Sequence, residues 1–335
     1  MKVLVTGANG FLAANIIREL NRREVPVRGM VRKTADLRSL AGADCEIHFG
    51  ELLDKDDVLK AVGGCNIIIH AAASTTQYSE DLSVYFPVNV RGTENVVNAA
   101  IISGVDRLIY VSTANTCRNG TLDNPGNESL EAGFPFTGSG YALSKIIAQK
   151  AVLEHARLHK LDAVVVNPTF MIGPYDARPS SGRILLMGYG KRIMGVPPGG
   201  KNFVHVRDVA TGVCNAITMG RNGECYLLAN ENLSFLEFFR KVESVTGFRQ
   251  YKFIVPGGVM SLMGSAGGFF NLLGLKGGLI LSNARLLNLD NYYSPAKALR
   301  ELGLPQTPVE QAIRDALEWF GQNGYLSHKR QKNVL

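Results

Sequence analysis

Tyr141 and Lys145, four residues apart, are the first pair in the chain whose types and spacing could do chemistry. In a helical stretch that spacing puts both side chains on one face. A free tyrosine has a pKa of about 10 and is a poor acid or base near neutrality. A neighbouring ammonium stabilises the phenolate and lowers that value. Such a pair can protonate a carbonyl oxygen, or in reverse deprotonate an alcohol. The same spacing also occurs in ordinary surface pairs, so position in the fold decides between the readings. A second group closes an apolar run, Leu108-Ile109-Tyr110-Val111-Ser112-Thr113-Ala114, where the Ser112 or Thr113 hydroxyl could hold the oxygen that Tyr141 serves. The third group is the opening, Val3-Leu4-Val5-Thr6-Gly7-Ala8-Asn9-Gly10-Phe11-Leu12-Ala13. There Gly7 permits a sharp turn, and Gly10 lets backbone N–H groups approach a pyrophosphate at a helix start, where the dipole favours anions.

These residues need a scaffold, and the hydrophobic pattern predicts one. Phe11, Leu12, Ile16, Ile17 and Leu20 recur at helical spacing over 11–22. Apolar runs at 25–31, 45–49, 66–70, 107–111 and 161–166 read as strands. Helices are expected at 54–62, 82–103 and 141–159, the second ended by Gly104. Strands alternating with helices and apolar on both faces imply an α/β fold, a doubly wound parallel (Rossmann) sheet. Past Pro168 the pattern becomes mixed. Short strands are expected near 203–206 and 225–229, with helices at 235–246 (capped by Ser234), 295–302 (capped by Ser294) and from Pro308 to Phe320. The expected division is a nucleotide-binding domain over 1–168, a smaller mixed substrate lobe over 169–325 interleaved with the last sheet elements, and a basic tail over 326–335.

With 335 residues, 46% of them hydrophobic, the chain can bury a large core. The net charge of +7 fits anionic ligands or plain solvated surface, and no basic-aromatic interleaving points to nucleic acid. Five scattered cysteines, with no Cys-x-x-Cys and no Cys/His cluster, fit reduced residues in a cytoplasmic protein without a bound metal. The first strand begins at once, so no signal peptide is expected. From Val255 to Leu275 there are 21 uncharged residues, long enough to cross a bilayer, but six glycines interrupt them. Two short buried helices are the expectation, with peripheral membrane contact as the alternative.

Taken together the three groups resemble the extended branch of the short-chain dehydrogenase/reductase superfamily. Thr6 to Ala13 is similar to its TGxxGFxG/A turn. His70-Ala71-Ala72-Ala73 resembles its strand-4 ending, and Asn89 to Val96 its NxxGTxN helix. Tyr141 to Lys145 matches YxxxK. Asn167 to Pro174 resembles the RPxxxYGP segment that borders the nicotinamide, with Asn in place of Arg, and Phe203 to Ala210 resembles VHVxDVA. The resemblance implies that Thr113 takes the catalytic Ser/Thr place, that Tyr141 is the acid/base, and that Lys145 holds the nicotinamide ribose and tunes Tyr141. It implies a cofactor site at Gly7, Asn9, Gly10, Phe11, Leu12, Ala71, Ala72, Asn89, Tyr141, Lys145, Pro168 and Phe170, with Glu51 and Leu52 near the adenine, and it implies that Asn89 supports the active-site helix. Homodimerisation through the 82–103 and 139–159 helices is a further implication.

An NAD site places an acid at the end of the second strand. Here Arg32-Lys33 stands there and the first carboxylate is Asp36. A guanidinium suits a 2′-phosphate, so NADP(H) is expected over NAD(H), with Arg32 as main contact and Lys33 or Arg38 assisting. Thr113 is followed by Ala114-Asn115 instead of the Asp-Glu of related sugar-nucleotide dehydratases. The nearest likeness is to the dihydroflavonol reductase and 3β-hydroxysteroid dehydrogenase-like group. The expected reaction is reduction of an aldehyde or ketone, or the reverse. Phe170, Met171, Met187, Tyr189, Met260, Met263, Phe269 and Phe270 would form either an apolar substrate site or plain core. Alternatives are a nucleotide-sugar epimerase or oxidoreductase, and a non-catalytic NADP(H)-binding sensor or assembly protein.

Overall fold

The computed structural model describes residues 1–75, 79–133, 135–158, 160–262 and 285–326. The first half builds β1 (Val3–Thr6), α1 (Phe11–Arg22), β2 (Val27–Val31), β3 (Glu46–Phe49), α2 (Lys55–Val62), β4 (Ile67–His70), α3 (Gly92–Ser103), β5 (Arg107–Val111), α4 (Gly140–Arg157) and β6 (Ala163–Pro168). The second half adds β7 (Phe170–Ile172), α5 (Arg183–Gly188), β8 (Ile193–Val196), β9 (Gly200–His205), α6 (Val206–Met219), β10 (Cys225–Leu228), β11 (Glu231–Ser234), α7 (Phe235–Thr246), β12 (Tyr251–Ile254), β13 (Asp290–Asn291), α8 (Ala296–Leu302) and α9 (Val309–Gln322).

Seven parallel strands form the main sheet in the order β3-β2-β1-β4-β5-β6-β10. Strand alternation explains how it is covered on both faces. Val3, Val5, Ile67, Ile69, Ile109, Val164 and Val166 point to a core shared with α1, α6 and α8. Leu4, Ile68, Leu108, Tyr110 and Val165 point to a core shared with α2, α3 and α4. Ala13 is buried where α1 meets this sheet, a place with room for a methyl group. The chain leaves β1 toward β3 and returns on the other side at β4. The crevice beyond the carboxyl ends of these two strands is the ligand position of doubly wound sheets.

The second lobe is built on β9, which pairs antiparallel with β11 and parallel with β13 and β7. Its core stacks Phe203 on Phe238 at 4.2 Å between centroids and adds Ile313, Leu317 and Phe320 of α9. A capping box of Ser234 and Glu237 starts α7. The VHVxDVA stretch joins the two lobes. His205 caps α6 and meets Asp315 of α9, and the Asp208 carboxylate accepts from the Thr307 N–H and hydroxyl.

Several expectations are corrected. The helix foreseen over 82–103 is a short 3-10 turn (Leu82–Val84), a π turn (Pro87–Arg91) and then α3. Pro87 lacks an N–H and its ring crowds the preceding turn, so a continuous α-helix cannot pass through it. The strand expected at 161–166 lies two residues later, at β6. The residue capping α8 is Pro295, with Ser294 accepting from the Ala296 N–H. Residues 257–262 are helical, with Met260 buried but Val259 and Leu262 facing outward, so this turn is buried on one side only. The rest of the uncharged run, the 327–335 part of the tail, and Met263, Phe269 and Phe270 lie outside the described residues. Among the described residues no helix is long and apolar enough to cross a membrane.

Candidate active site

The turn after β1 carries the clearest sign of a built ligand site. Gly7 has φ of 64°, and a Cβ there would lie 2.7 Å from the Ala72 Cα, so the exit of β4 packs directly on the turn. The Ala8 N–H donates to the Met30 carbonyl at 3.2 Å, which fixes the turn beside the end of β2. Gly10 caps α1 in extended conformation, with no side-chain cap bond and no acid in the first turn. The helix start is therefore open to an anion. Phe11 is half-buried and Leu12 buried. The Asn9 amide donates to the Asp36 carbonyl, while its own carbonyl accepts from Ser39, so Asn9 holds the loop after β2. Arg32 and Lys33 are exposed just past β2. Arg38 is not free to assist them. It pairs with Asp36 at 2.8 Å, and that partner holds the Asp36 carboxyl down at about 2. Glu51 is exposed, and Leu52 packs on the α2–α3 core with its carbonyl taken by Asn95. A left-handed glycine turn that excludes side chains, an uncapped helix start and exposed cations beyond β2 fit a dinucleotide's pyrophosphate and ribose.

A chain of hydrogen bonds runs from this turn to α4. The Ala72 N–H donates to Thr6 Oγ1, which lies 2.7 Å from His70 Nδ1. His70 Nε2 lies 3.0 Å from Thr93 Oγ1, and the Thr93 hydroxyl donates to the Asn89 carbonyl. Because Thr93 spends its proton on Asn89, His70 must donate from Nε2 and accept at Nδ1 from Thr6. Burial, with the Lys145 charge adding to it, pushes His70 down to about 3, so it is neutral. Asn89 continues the chain. Its Oδ1 accepts from the Ser74 N–H, and its Nδ2 donates to the Ser74 carbonyl and to Ser144 Oγ, which donates to the Tyr141 carbonyl. Asn89 is 1% exposed and its amide is used up inside the protein. Asn89 thus ties Ser74, beyond the β4 exit, to Ser144 in the first turns of α4, as expected of a residue that supports that helix, and its amide has no bond left for a cofactor.

That first turn holds Tyr141. Ser139 caps α4, and a Cβ on Gly140 would lie 2.7 Å from the Glu80 carbonyl oxygen, so only glycine lets the 80–81 segment pack there. Thr113 lies beside the Tyr141 phenol, near enough to act on its pKa, and its Oγ1 accepts from the Asn115 N–H. Ser112 is buried and its hydroxyl has no partner among the described residues, which separates the two candidates. Lys145 is buried, donates to the Val111 carbonyl at 2.7 Å and lies 4.3 Å from the Tyr110 ring centre. Burial pushes Lys145 down to about 7. Burial also pushes Tyr141 up to about 12, against an opposing effect of Thr113 and with a small addition from Tyr85. Burial sets the direction of the Tyr141 shift, with no contribution from the Lys145 amine, and keeps the phenol protonated at neutral pH.

On the far side of the crevice, Asn167 donates to Gln149 and Thr116 at 2.9 Å and to the Thr113 carbonyl at 3.2 Å. The residue standing where the resemblance has Arg braces the hydroxyl-bearing loop. Beyond Pro168, Phe170 packs edge-on against Phe203. Tyr189 and Met260 are core, whereas Met187 is exposed. Lys201 was not foreseen. Its ammonium lies 5.4 Å from the Phe170 ring centre, is pushed down to about 8 by burial, and pairs with no carboxylate among the described residues. Strand alternation could have found it, since Lys201 and Phe203 share one face of β9. Among the described residues no group of His, Cys, Asp and Glu could hold a metal.

Residues 3–229 match the profile of the NAD dependent epimerase/dehydratase family, and the chain belongs to that family. It is an enzyme of the NAD(P)-dependent kind. A Synechocystis protein provisionally named dihydroflavonol 4-reductase is 29% identical over 96% of this chain and 95% of its own length. Sterol demethylase protein B of Methylococcus capsulatus is 31% identical over 97% of this chain and all of its own. The solved structure of gox2253 superposes with a TM-score of 0.83 at 29% identity, covering 97% of this chain and 99% of that one.

Proposed function

We propose that this enzyme is an NADP(H)-dependent oxidoreductase that reduces the carbonyl of a small apolar substrate, or oxidises the corresponding alcohol. The observation that carries this is Tyr141, with Thr113 beside its phenol and the buried Lys145 one turn along the same helix, at the sheet edge that also holds the Gly7 turn. When bound, a nicotinamide supplies hydride to the carbonyl carbon. Tyr141 gives its phenol proton to the carbonyl oxygen, and a pKa pushed up to about 12 keeps that proton in place at neutral pH. Thr113 orients the phenol and the substrate oxygen. Lys145 would hold the nicotinamide ribose, where a returning positive charge lowers Tyr141 for the reverse step. Gly7, Gly10, Phe11 and Leu12 would line the pyrophosphate, Ala71, Ala72, Pro168 and Phe170 the inner half, and Glu51 and Leu52 the adenine.

NADP(H) is supported by Arg32 and Lys33 standing free beyond β2 while Asp36 is occupied by Arg38. Arg32→Ala should raise KM for NADPH well above its effect on NADH, and an unchanged ratio overturns the preference. The apolar substrate is supported by the partly exposed Phe170 and Met171. One observation favours a second reading, a nucleotide-sugar substrate. Lys201 is an unneutralised cation beside Phe170, suited to a phosphate. A panel of aldehydes and ketones followed by NADPH absorbance, beside a thermal-shift screen of UDP-sugars, separates the two.

A further inference from the structure

β8 and β12 form a two-stranded parallel sheet in which Ile193 pairs with Tyr251 and Gly195 with Phe253. One face of this sheet is mostly covered, with Met194 and Val196 buried and Lys252 spent on an ion pair with Glu243, and only Ile254 at its end exposed. The other face carries Ile193, Tyr251 and Phe253, with Ile193 66% and Tyr251 70% exposed. The helical turn over 257–262 continues it with Val259 and Leu262, three apart on one side, the latter 72% exposed. An exposed apolar patch of this kind marks an interaction site.

Its rim identifies the partner. Gln250 donates to the Gly188 and Lys191 carbonyls, and the Tyr251 N–H donates to the Arg192 carbonyl. Exposed Lys191, Arg192 and Arg249 are thereby set beside the patch, and Lys191 and Arg192 form no ion pair among the described residues. No Asp or Glu occurs in the sequence between Asp176 and Asp208 or between Glu243 and Asp290, the two stretches that supply this sheet. Apolar and aromatic side chains flanked at one end by cations, two of them without an ion pair among the described residues, are complementary to an anionic bilayer surface. We propose that the β8–β12 face docks the protein peripherally on anionic lipid, with Tyr251 and Phe253 entering the interface and Lys191, Arg192 and Arg249 meeting the headgroups. The proposal stands apart from the reading of the active site.

The test is co-sedimentation of the full chain with vesicles of phosphatidylcholine alone and of phosphatidylcholine mixed with phosphatidylglycerol. The wild type should sediment with the anionic vesicles and be released by raised salt. A Tyr251→Ser/Phe253→Ser double variant should stay in the supernatant. Lys191→Glu with Arg192→Glu should weaken binding about tenfold or more, from about 1 kcal/mol per basic residue near the surface. Unchanged melting temperature and NADPH binding show that the variants are folded. If the serine variant does not fold, the charge-reversal pair carries the test. The proposal is overturned if the wild type ignores both vesicles or if the substituted proteins bind as well as it does. It is equally overturned if sedimentation equilibrium finds a dimer that the serine substitutions dissolve, since the face would then be covered by a second copy.

Discussion

Burial, more than any partner charge, sets the protonation of the residues around Tyr141. Lys145 and His70 are both pushed toward their neutral forms, the one to about 7 and the other to about 3. The sequence pair Tyr141/Lys145 was legible as a reactive constellation, but the sign of the Tyr141 shift was not, because it depends on the depth at which α4 meets β5. The linkage follows from the His70 value. In the unfolded chain a histidine protonates near 6.5, while in the fold it stays neutral to about 3. The unfolded state therefore binds more protons across that window, and stability falls as pH is lowered through it, by at most about 1.4 kcal/mol per pH unit from this residue. His70→Gln should lower stability at pH 7 and flatten the acid limb relative to wild type in urea unfolding at a series of pH values. Parallel limbs would contradict a neutral His70 in the fold. Lys145 acts in the same sense at higher pH. Its folded pKa lies below the unfolded value, so its contribution is lost as pH falls from about 10.5 to about 7.

At the level of elements, the β1–turn–α1 unit was readable because its determinants are local: an apolar run, Gly7, and a helical repeat from Phe11. Gly7→Ala forces a methyl group to 2.7 Å from the Ala72 backbone at a φ that side chains rarely adopt. It should weaken NADPH binding in fluorescence titration and cost about 1–3 kcal/mol of stability. Normal affinity would mean that the turn does not line the cofactor. The clamp made by Asn89 was not readable in its detail. It depends on Ser74 and Ser144 arriving from two other segments, whereas the motif match gave only a supporting place beside the active-site helix and a cofactor contact. Asn89→Leu should lower kcat about tenfold or more while leaving the NADPH Kd within a few fold, since the lost bonds position α4. An affinity loss as large as the kcat loss would restore a direct contact. The break at Pro87 was visible as a residue type, yet apolar spacing continued on both sides and hid it.

In the whole molecule, α6 packs on the main sheet, and at its start His205 meets Asp315 of the C-terminal helix while Asp208 accepts from Thr307 just ahead of it. In the proposed reading the substrate sits between the carboxyl edge of the seven-stranded sheet and the second lobe. The doubly wound class was legible from strands buried on both faces. The composition of the second lobe was not, because β9 draws partners from 170–172, 231–234 and 290–291, and such long-range pairing leaves little local trace. The most direct test of the account is a comparison of wild type and Tyr141→Phe as the NADPH-bound enzyme, with a reducible carbonyl substrate found in the panel. The substitution removes only the phenolic hydroxyl beside which Thr113 lies. NADPH Kd should stay within about twofold, and the single-turnover rate of NADPH oxidation should fall by about 10²–10⁴-fold. A rate within a few fold of wild type would show that Tyr141 does not deliver the proton and would contradict the proposed chemistry.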